Sequence, residues 1–279
     1  MSTDAAPSRA ATLELVLADL AAEGDELASY VSQLDDVRWR LDTPAEGWTI
    51  AHQIAHLAWT DHVAALAATS VVDPEAKAAW DAGIEQAMAD PFGFVDGAAE
   101  EWARLPREEL LARWHAGRVR LADALRAHPE GAKVPWFGPP MSPTSMATAR
   151  YMETWAHARD VYDALAVLIH PTDRIRHVVH LGVRTRDFAY AVHEQTPPAA
   201  PFRIELVSPE GETWAYGPED AEQRITGSAY DFCLLVTQRR HPENLDLVAT
   251  GDDALHWMGI AQAFAGPPGQ GRPPAGGVG

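Results

Sequence analysis

The spacing of the apolar residues changes once along this chain, and that change most limits the folds that it can adopt. Up to about residue 193 the apolar residues recur every three to four positions, which is typical of amphipathic helices. After the segment EQTPPAAP, apolar and polar residues alternate in FRIELV and again in ETWAYG, as they do in half-buried strands. The sequence therefore predicts a mainly α protein in which a helical domain precedes a small α+β domain.

Four long helices are predicted in the first domain, each with its apolar residues on one face. They cover residues 13–34, 49–68, 106–127 and 145–168, with shorter helices between 75 and 105 and a fifth helix over 173–193. Four long helices joined by connections of mixed length favour a four-helix bundle.

The second domain has predicted strands at residues 202–207, 212–216 and 245–250, and a further strand at QRITG. Ser228 and Asp231 form a capping-box-like start to a helix through FCLLVTQ, and DDALHWMGIAQAF is predicted as the last helix. The predicted domains are therefore residues 1–197 and 198–266. Residues 267–279, rich in proline and glycine, are expected to be disordered.

The composition argues against several classes of function. The 279 residues include 22 basic and 40 acidic ones, a net charge of −18 with histidine neutral. A surface this acidic repels nucleic-acid backbones and anionic lipid, and no apolar run approaches the roughly 18–20 residues of a membrane span. The single cysteine, Cys233, excludes an intramolecular disulfide framework and is expected to be a buried apolar side chain. We therefore expect a cytoplasmic monomer or homodimer that binds a small molecule and neither nucleic acid nor a membrane.

The segment METWAHARD places Glu153 and His157 four residues apart in the fourth long helix, so both side chains project from the same side of that helix. A carboxylate and an imidazole in this arrangement can bind one divalent metal, but two ligands rarely make a site. The second helix contains WTIAHQIAHLAW and offers two further imidazoles, His52 and His56. A third ligand is therefore expected from that helix.

Amphipathicity distinguishes the two histidines of the second helix. His56 shares a helical face with Trp59 and Val63, whereas His52 is nearer the start of the helix, beside Gln53. We predict that His56 points inward as the third ligand, with His52 as the alternative. Spacing alone is also compatible with a hydrogen-bonded core histidine and a surface Glu–His pair.

Two stretches of the chain carry a resemblance to a known family. GWTIAHQIAHLAW resembles the second-helix motif of the DinB-like metal-binding bundle superfamily, and METWAHARDV resembles a later-helix motif of the same group. Together they are most similar to mycothiol-dependent maleylpyruvate isomerases, in an actinobacterial branch of metal-binding proteins. The resemblance implies a DinB-like four-helix bundle followed by a domain similar to sterol carrier protein type 2. It also implies metal ligation by His56, Glu153 and His157.

Two imidazoles and one carboxylate leave a position open on a four-coordinate metal, which is typical of catalytic sites. Zinc is the expected metal and nickel the alternative. The resemblance implies that mycothiol, or a related thiol, is activated there for isomerisation or S-transfer on a small electrophilic substrate. Three other functions stay open: a metal-dependent hydrolase, a metal-binding carrier of an apolar ligand, and a stress-associated interaction protein with a vestigial site.

Further candidate residues lie outside the ligand set. Arg239 and Arg240 follow a helix of the second domain, near where members of the isomerase family carry an arginine, so either could bind a substrate carboxylate through two hydrogen bonds. Asp160 is a candidate to orient the histidine of METWAHARD, and a solvent-facing carboxylate is the alternative. Trp136 and Phe137 are predicted either to wall the mouth of the site or to cap the bundle core. For Arg239 and Arg240, the alternative is an ordinary pair of surface side chains with no role in binding.

Overall fold

A computed structural model of the protein describes residues 8–91 and 93–274. The chain divides into two compact units, residues 1–168 and 169–279. This division lies earlier in the chain than the boundary predicted at 197/198, because the helices between residues 176 and 192 pack on helices of the second unit. Apolar periodicity indicates that a segment is helical, but it does not indicate which unit the helix joins.

The first unit is built on a bundle of four long helices. Its helices are α1 (Arg9–Val31), α2 (Ile50–Thr69), α3 (Pro74–Ala89), α4 (Phe94–Ala103), α5 (Arg107–Arg126) and α6 (Pro143–Ala164). α2 packs against α5 and α6, and α6 also packs against α1, which gives the predicted four-helix bundle. α3 and α4 pack on α2; Phe92, in the connection between them, lies outside the described residues.

Side-chain caps determine where two of the bundle helices begin. Ser8 Oγ accepts a hydrogen bond from the backbone N–H of Ala11 ahead of α1. Ser142 Oγ accepts one from the N–H of Ser145 ahead of α6, where Pro143 occupies the first turn. The start of α6 places the motif METWAHARD in the middle of a helix whose neighbours are α1 and α2.

The second unit combines helices with a four-stranded sheet. Its elements are α7 (Arg176–Arg184), α8 (Arg186–Val192), β1 (Phe202–Val207), β2 (Thr213–Tyr216), β3 (Gln223–Ser228), α9 (Ala229–Val236), β4 (Leu247–Thr250) and α10 (Asp252–Ile260). The strand order is β2-β1-β3-β4, with β1 and β3 parallel and the other pairs antiparallel. α9 packs on β1 and β3, and α10 on β3 and β4. The mainly α fold with a small α+β unit is thus confirmed, and Cys233 is buried in α9 as expected.

Two segments of the second unit differ from their predicted form. The helix predicted over 173–193 is a short 3₁₀ turn followed by α7 and α8, which are separated at Thr185. In the tail, residues 267–274 form no helix or strand, but the Gly269 N–H donates to Gln262 Oε1 and ties this part to the unit. Residues 275–279 lie outside the described residues. None of the helices that the structure describes combines the length and apolarity needed to span a membrane.

Candidate metal centre

The structure brings together the side chains of His56, Glu153 and His157. One possible ligand atom of each lies within 4.8 Å of the other two. His157 Nε2 is 3.1 Å from Glu153 Oε2, and His56 Nε2 is 3.5 Å from the same oxygen. Donors about 2.0–2.2 Å from a tetrahedral zinc are about 3.3–3.6 Å apart, so the two nitrogen–oxygen distances are close to those around a bound divalent metal.

Glu153 is ionised, as a carboxylate must be in order to bind a metal. Removal from bulk water favours the neutral acid, but hydrogen bonds with His157 and His56 outweigh this effect and hold the pKa of Glu153 well below its usual range. The carboxylate is therefore ionised at neutral pH, and 24% of its side chain remains exposed. An ionised, partly exposed carboxylate is available to an incoming cation.

His52 has a different role from His56. Its Nδ1 lies 3.2 Å from the backbone nitrogen of Thr49 and 2.8 Å from Thr49 Oγ1, which completes a capping box at the start of α2. Its Nε2 lies 2.8 Å from Glu100 Oε2 of α4. Both ring nitrogens of His52 have these other partners, so the structure brings His56, and not the alternative His52, to the cluster.

Two indole rings flank the cluster. The Trp48 ring is stacked at 5.9 Å from the ring of His157 and lies 5.4 Å from that of His56. Trp59, one turn after His56 in α2, lies 6.3 Å from the His56 ring. Apolar walls of this kind keep bulk water away from charged groups and strengthen their interactions. Trp48 directly precedes Thr49, the capping residue of α2, and no sequence pattern predicted its place beside the cluster.

Trp136 and Phe137 pack within an aromatic cluster. The Phe137 ring lies 5.2 Å from that of Trp80 in α3 and 5.5 Å from that of Phe94 in α4. Phe94 in turn meets Trp59 edge-on at 5.2 Å. Phe137 and Trp136 therefore anchor the connection before α6 to α3 and α4. Of the two predicted roles, these contacts favour packing.

Gln53 lies beside His157, where the sequence predicted Asp160. Asp160, predicted to orient His157, is buried in α6, while His157 Nδ1 lies 2.5 Å from Gln53 Oε1. The signal that could have identified Gln53 is an amide on the inward face of α2, three residues before His56. Gln53 therefore contacts His157 at the ring nitrogen that faces away from the cluster.

Arg239 and Arg240 follow α9 in the second unit. Nη1 of Arg239 donates to the carbonyl of Thr237, and Nη1 of Arg240 donates to the carbonyl of Arg239, both at 2.7 Å. The binding of a substrate carboxylate by either arginine stays a prediction.

Comparison with family models and with known sequences finds matches over most of the chain. A model of the mycothiol maleylpyruvate isomerase N-terminal domain matches residues 20–162, and a model described as wyosine base formation matches residues 198–250. Two relatives from Mycobacterium tuberculosis are the uncharacterized protein Rv0036c of strain H37Rv and the uncharacterized protein MT0041 of strain CDC 1551 / Oshkosh. Each is 56% identical over 256 residues, which cover 92% of this chain and 97% of the relative.

Comparison with solved structures supports the same fold. The crystal structure of the mycothiol-dependent maleylpyruvate isomerase matches with a TM-score of 0.54 and 18% identity, over 81% of this chain and 89% of that chain, and a mutant of the same enzyme matches equally well. At this identity the match shows a shared fold. Because the first family model covers just over half of the chain, the protein belongs to the mycothiol maleylpyruvate isomerase N-terminal domain family.

Proposed function

We propose that this protein is a metal-dependent enzyme that activates a low-molecular-weight thiol, mycothiol or a related one, for isomerisation or S-transfer on a small electrophilic substrate. The convergence of His56, Glu153 and His157 supports the proposal most directly. A divalent metal held by these residues, zinc or alternatively nickel, would act as a Lewis acid and would lower the pKa of a bound thiol. Membership of a family named after a mycothiol-dependent isomerase supports the choice of a thiol.

The residues of the cluster favour an anionic sulfur over a neutral thiol. His56 and His157 would bind as neutral imidazoles and Glu153 as a carboxylate, so the three carry one negative charge against the two positive charges of the ion. The net positive charge attracts an anion, and the rings of Trp48 and Trp59 limit its screening by water. Addition of the thiolate to one carbon of a conjugated double bond would convert it to a single bond and move its electron pair onto the conjugated carbonyl. After rotation about that bond, expulsion of the thiolate would restore the double bond in the other geometry, which is isomerisation. Protonation of the adduct in place of expulsion would leave the thiol attached, which is S-transfer.

The test is product analysis with zinc-loaded protein purified without a nickel column. The protein is incubated with mycothiol and a panel of small electrophiles that includes maleylpyruvate, and the products are identified by mass spectrometry. We expect an isomerised product or a thiol adduct that requires both the thiol and the metal, and that the Glu153→Gln variant does not form. Hydrolysis of the panel without thiol would instead indicate a hydrolase. Ligand binding with no turnover would indicate a carrier, and either outcome contradicts the proposal.

For Arg239 and Arg240 we propose a role in substrate binding. If one guanidinium binds a substrate carboxylate, the Arg239→Ala, Arg240→Ala double variant should keep its zinc content and circular dichroism but turn over anionic electrophiles more slowly. Loss of a charge-assisted hydrogen bond is typically worth about 1.5–3 kcal/mol, or roughly 10- to 150-fold in kcat/KM. Lysine should restore only part of the rate because it lacks the planar fork of arginine. Full activity in the double alanine variant would exclude this role.

A further inference from the structure

A chain of buried hydrogen bonds leads away from His157. Gln53 is 0% exposed, and its Oε1 lies 2.5 Å from His157 Nδ1. Its Nε2 donates to Thr43 Oγ1 at 2.9 Å. Thr43 Oγ1 in turn donates to the carbonyl of Trp48 at 2.7 Å, and the backbone N–H of Thr43 donates to the same carbonyl at 2.8 Å. This series of hydrogen bonds therefore links His157 to the loop that precedes α2.

The donors and acceptors of these hydrogen bonds determine the orientation of the amide of Gln53. A threonine hydroxyl has one proton, and that of Thr43 is donated to Trp48, so its oxygen can only accept from Gln53. The nitrogen of the amide must therefore face Thr43, and its oxygen must face His157. An amide oxygen accepts only from a protonated Nδ1, so the neutral ring carries its lone pair on Nε2.

We propose that Gln53 is a positioning residue of the metal centre, which holds His157 as the Nδ1–H tautomer and so keeps Nε2 available as the ligand atom. The inference rests on the metal site in the proposed function. Nε2 is the nitrogen of His157 that faces Glu153. His56 lacks such support within the described residues, because its Nδ1 is buried and without a hydrogen-bond partner there. Within the described residues, a buried side chain therefore orients the ring of His157 through Nδ1, and none does so for His56.

The chemical type of Gln53 has a consequence for the centre. Metal-binding histidines often donate this hydrogen bond to a carboxylate, which makes the ring a stronger donor and adds a negative charge. An amide fixes the tautomer without adding charge. The centre therefore keeps the net positive charge that favours an anionic thiol, and Gln53→Glu should bind zinc at least as tightly as the native protein while activating the thiol less well.

The main test is the zinc affinity of Gln53→Leu, which removes the acceptor at similar side-chain volume. Loss of an orienting partner typically lowers metal affinity about 10- to 100-fold, and competition with a chromogenic chelator measures the change. Gln53→Glu restores an acceptor and should restore the affinity. Gln262→Leu is the matched control: Gln262 is also buried, its amide bonds backbone groups of the second unit, and its loss should leave zinc affinity unchanged.

A second readout follows the ring nitrogens of His157 and not activity. Long-range ¹H–¹⁵N spectra of the zinc-loaded protein report which nitrogen of His157 carries the proton and which binds the metal. We expect Nδ1–H and binding through Nε2 in the native protein, and an Nδ1 proton that exchanges faster with water in Gln53→Leu. Native zinc affinity in a folded Gln53→Leu variant, or binding of zinc through Nδ1 of His157 in the native protein, would overturn the inference.

The two readouts also separate this inference from the proposed function. If Gln53→Leu does not fold, the tautomer of the native protein decides, and Thr43→Val, which keeps the amide but releases its orientation, should give a smaller loss of zinc affinity. A native protein that shows the Nδ1–H tautomer and the Gln53-dependent affinity, but no thiol chemistry, would contradict the proposed function and leave the inference in place.

Discussion

Replacement of His56, Glu153 or His157 by alanine is expected to abolish stoichiometric metal binding. The cluster that the described residues form contains these three donors and no fourth, so no neighbour can replace a lost ligand. The loss should exceed the roughly 10- to 100-fold change in affinity that is typical when a residue that hydrogen-bonds to a ligand is replaced. Elemental analysis of protein purified without a nickel column measures the metal content directly.

His52→Ala is the control for this experiment. His52 lies in the same helix but caps its start and pairs with Glu100, so its removal should leave most of the metal bound. The expected cost is instead in stability, about 0.5–2 kcal/mol for a lost helix cap, measured by urea unfolding of the metal-free protein. An empty site in His52→Ala, together with a filled one in His56→Ala, would show that the ligand assignment on α2 is wrong.

The bundle and the cluster of possible ligands could be predicted because both depend on helical periodicity. Glu153 and His157 are four residues apart, so any helix through them brings their side chains to one side. The choice of His56 over His52 followed from the apolar face of α2, and the structure brings His56 to the cluster. Periodicity was informative here because the three possible ligands lie within long helices.

Gln53 and the division into units could not be predicted in the same way. The amide acts through Thr43, ten residues earlier in a loop, and a hydrogen bond between a helix and a loop leaves no periodic signal. The pattern over residues 173–193 is continuous across Thr185, where the helix breaks. Which unit these helices join depends on their packing against α9 and α10, which is a tertiary property.

A buried ion pair inside the bundle leads to the second large effect that we expect. Arg150 Nε donates to Asp61 Oδ1 at 2.9 Å, and the two side chains are only 3% and 2% exposed. Burial raises the pKa of Asp61, while the adjacent guanidinium of Arg150 opposes the shift. Nη2 of Arg150 has no hydrogen-bond partner within the described residues. The attraction between the two charges therefore does not fully compensate for the free energy of removing both from water.

Asp61→Ala should lower the free energy of unfolding by about 3–5 kcal/mol, because it leaves the charge of Arg150 buried without its partner. The Asp61→Leu, Arg150→Met double variant removes both charges and fills the space with apolar groups, so it should be close to native stability or above it. Urea unfolding of the metal-free variants measures both changes on one scale. If the single and double variants lose equal stability, the loss comes from packing around α2 and α6 and not from an unpaired charge. Zinc content in the folded fraction of Asp61→Ala should remain native, since Asp61 is not among the three proposed ligands.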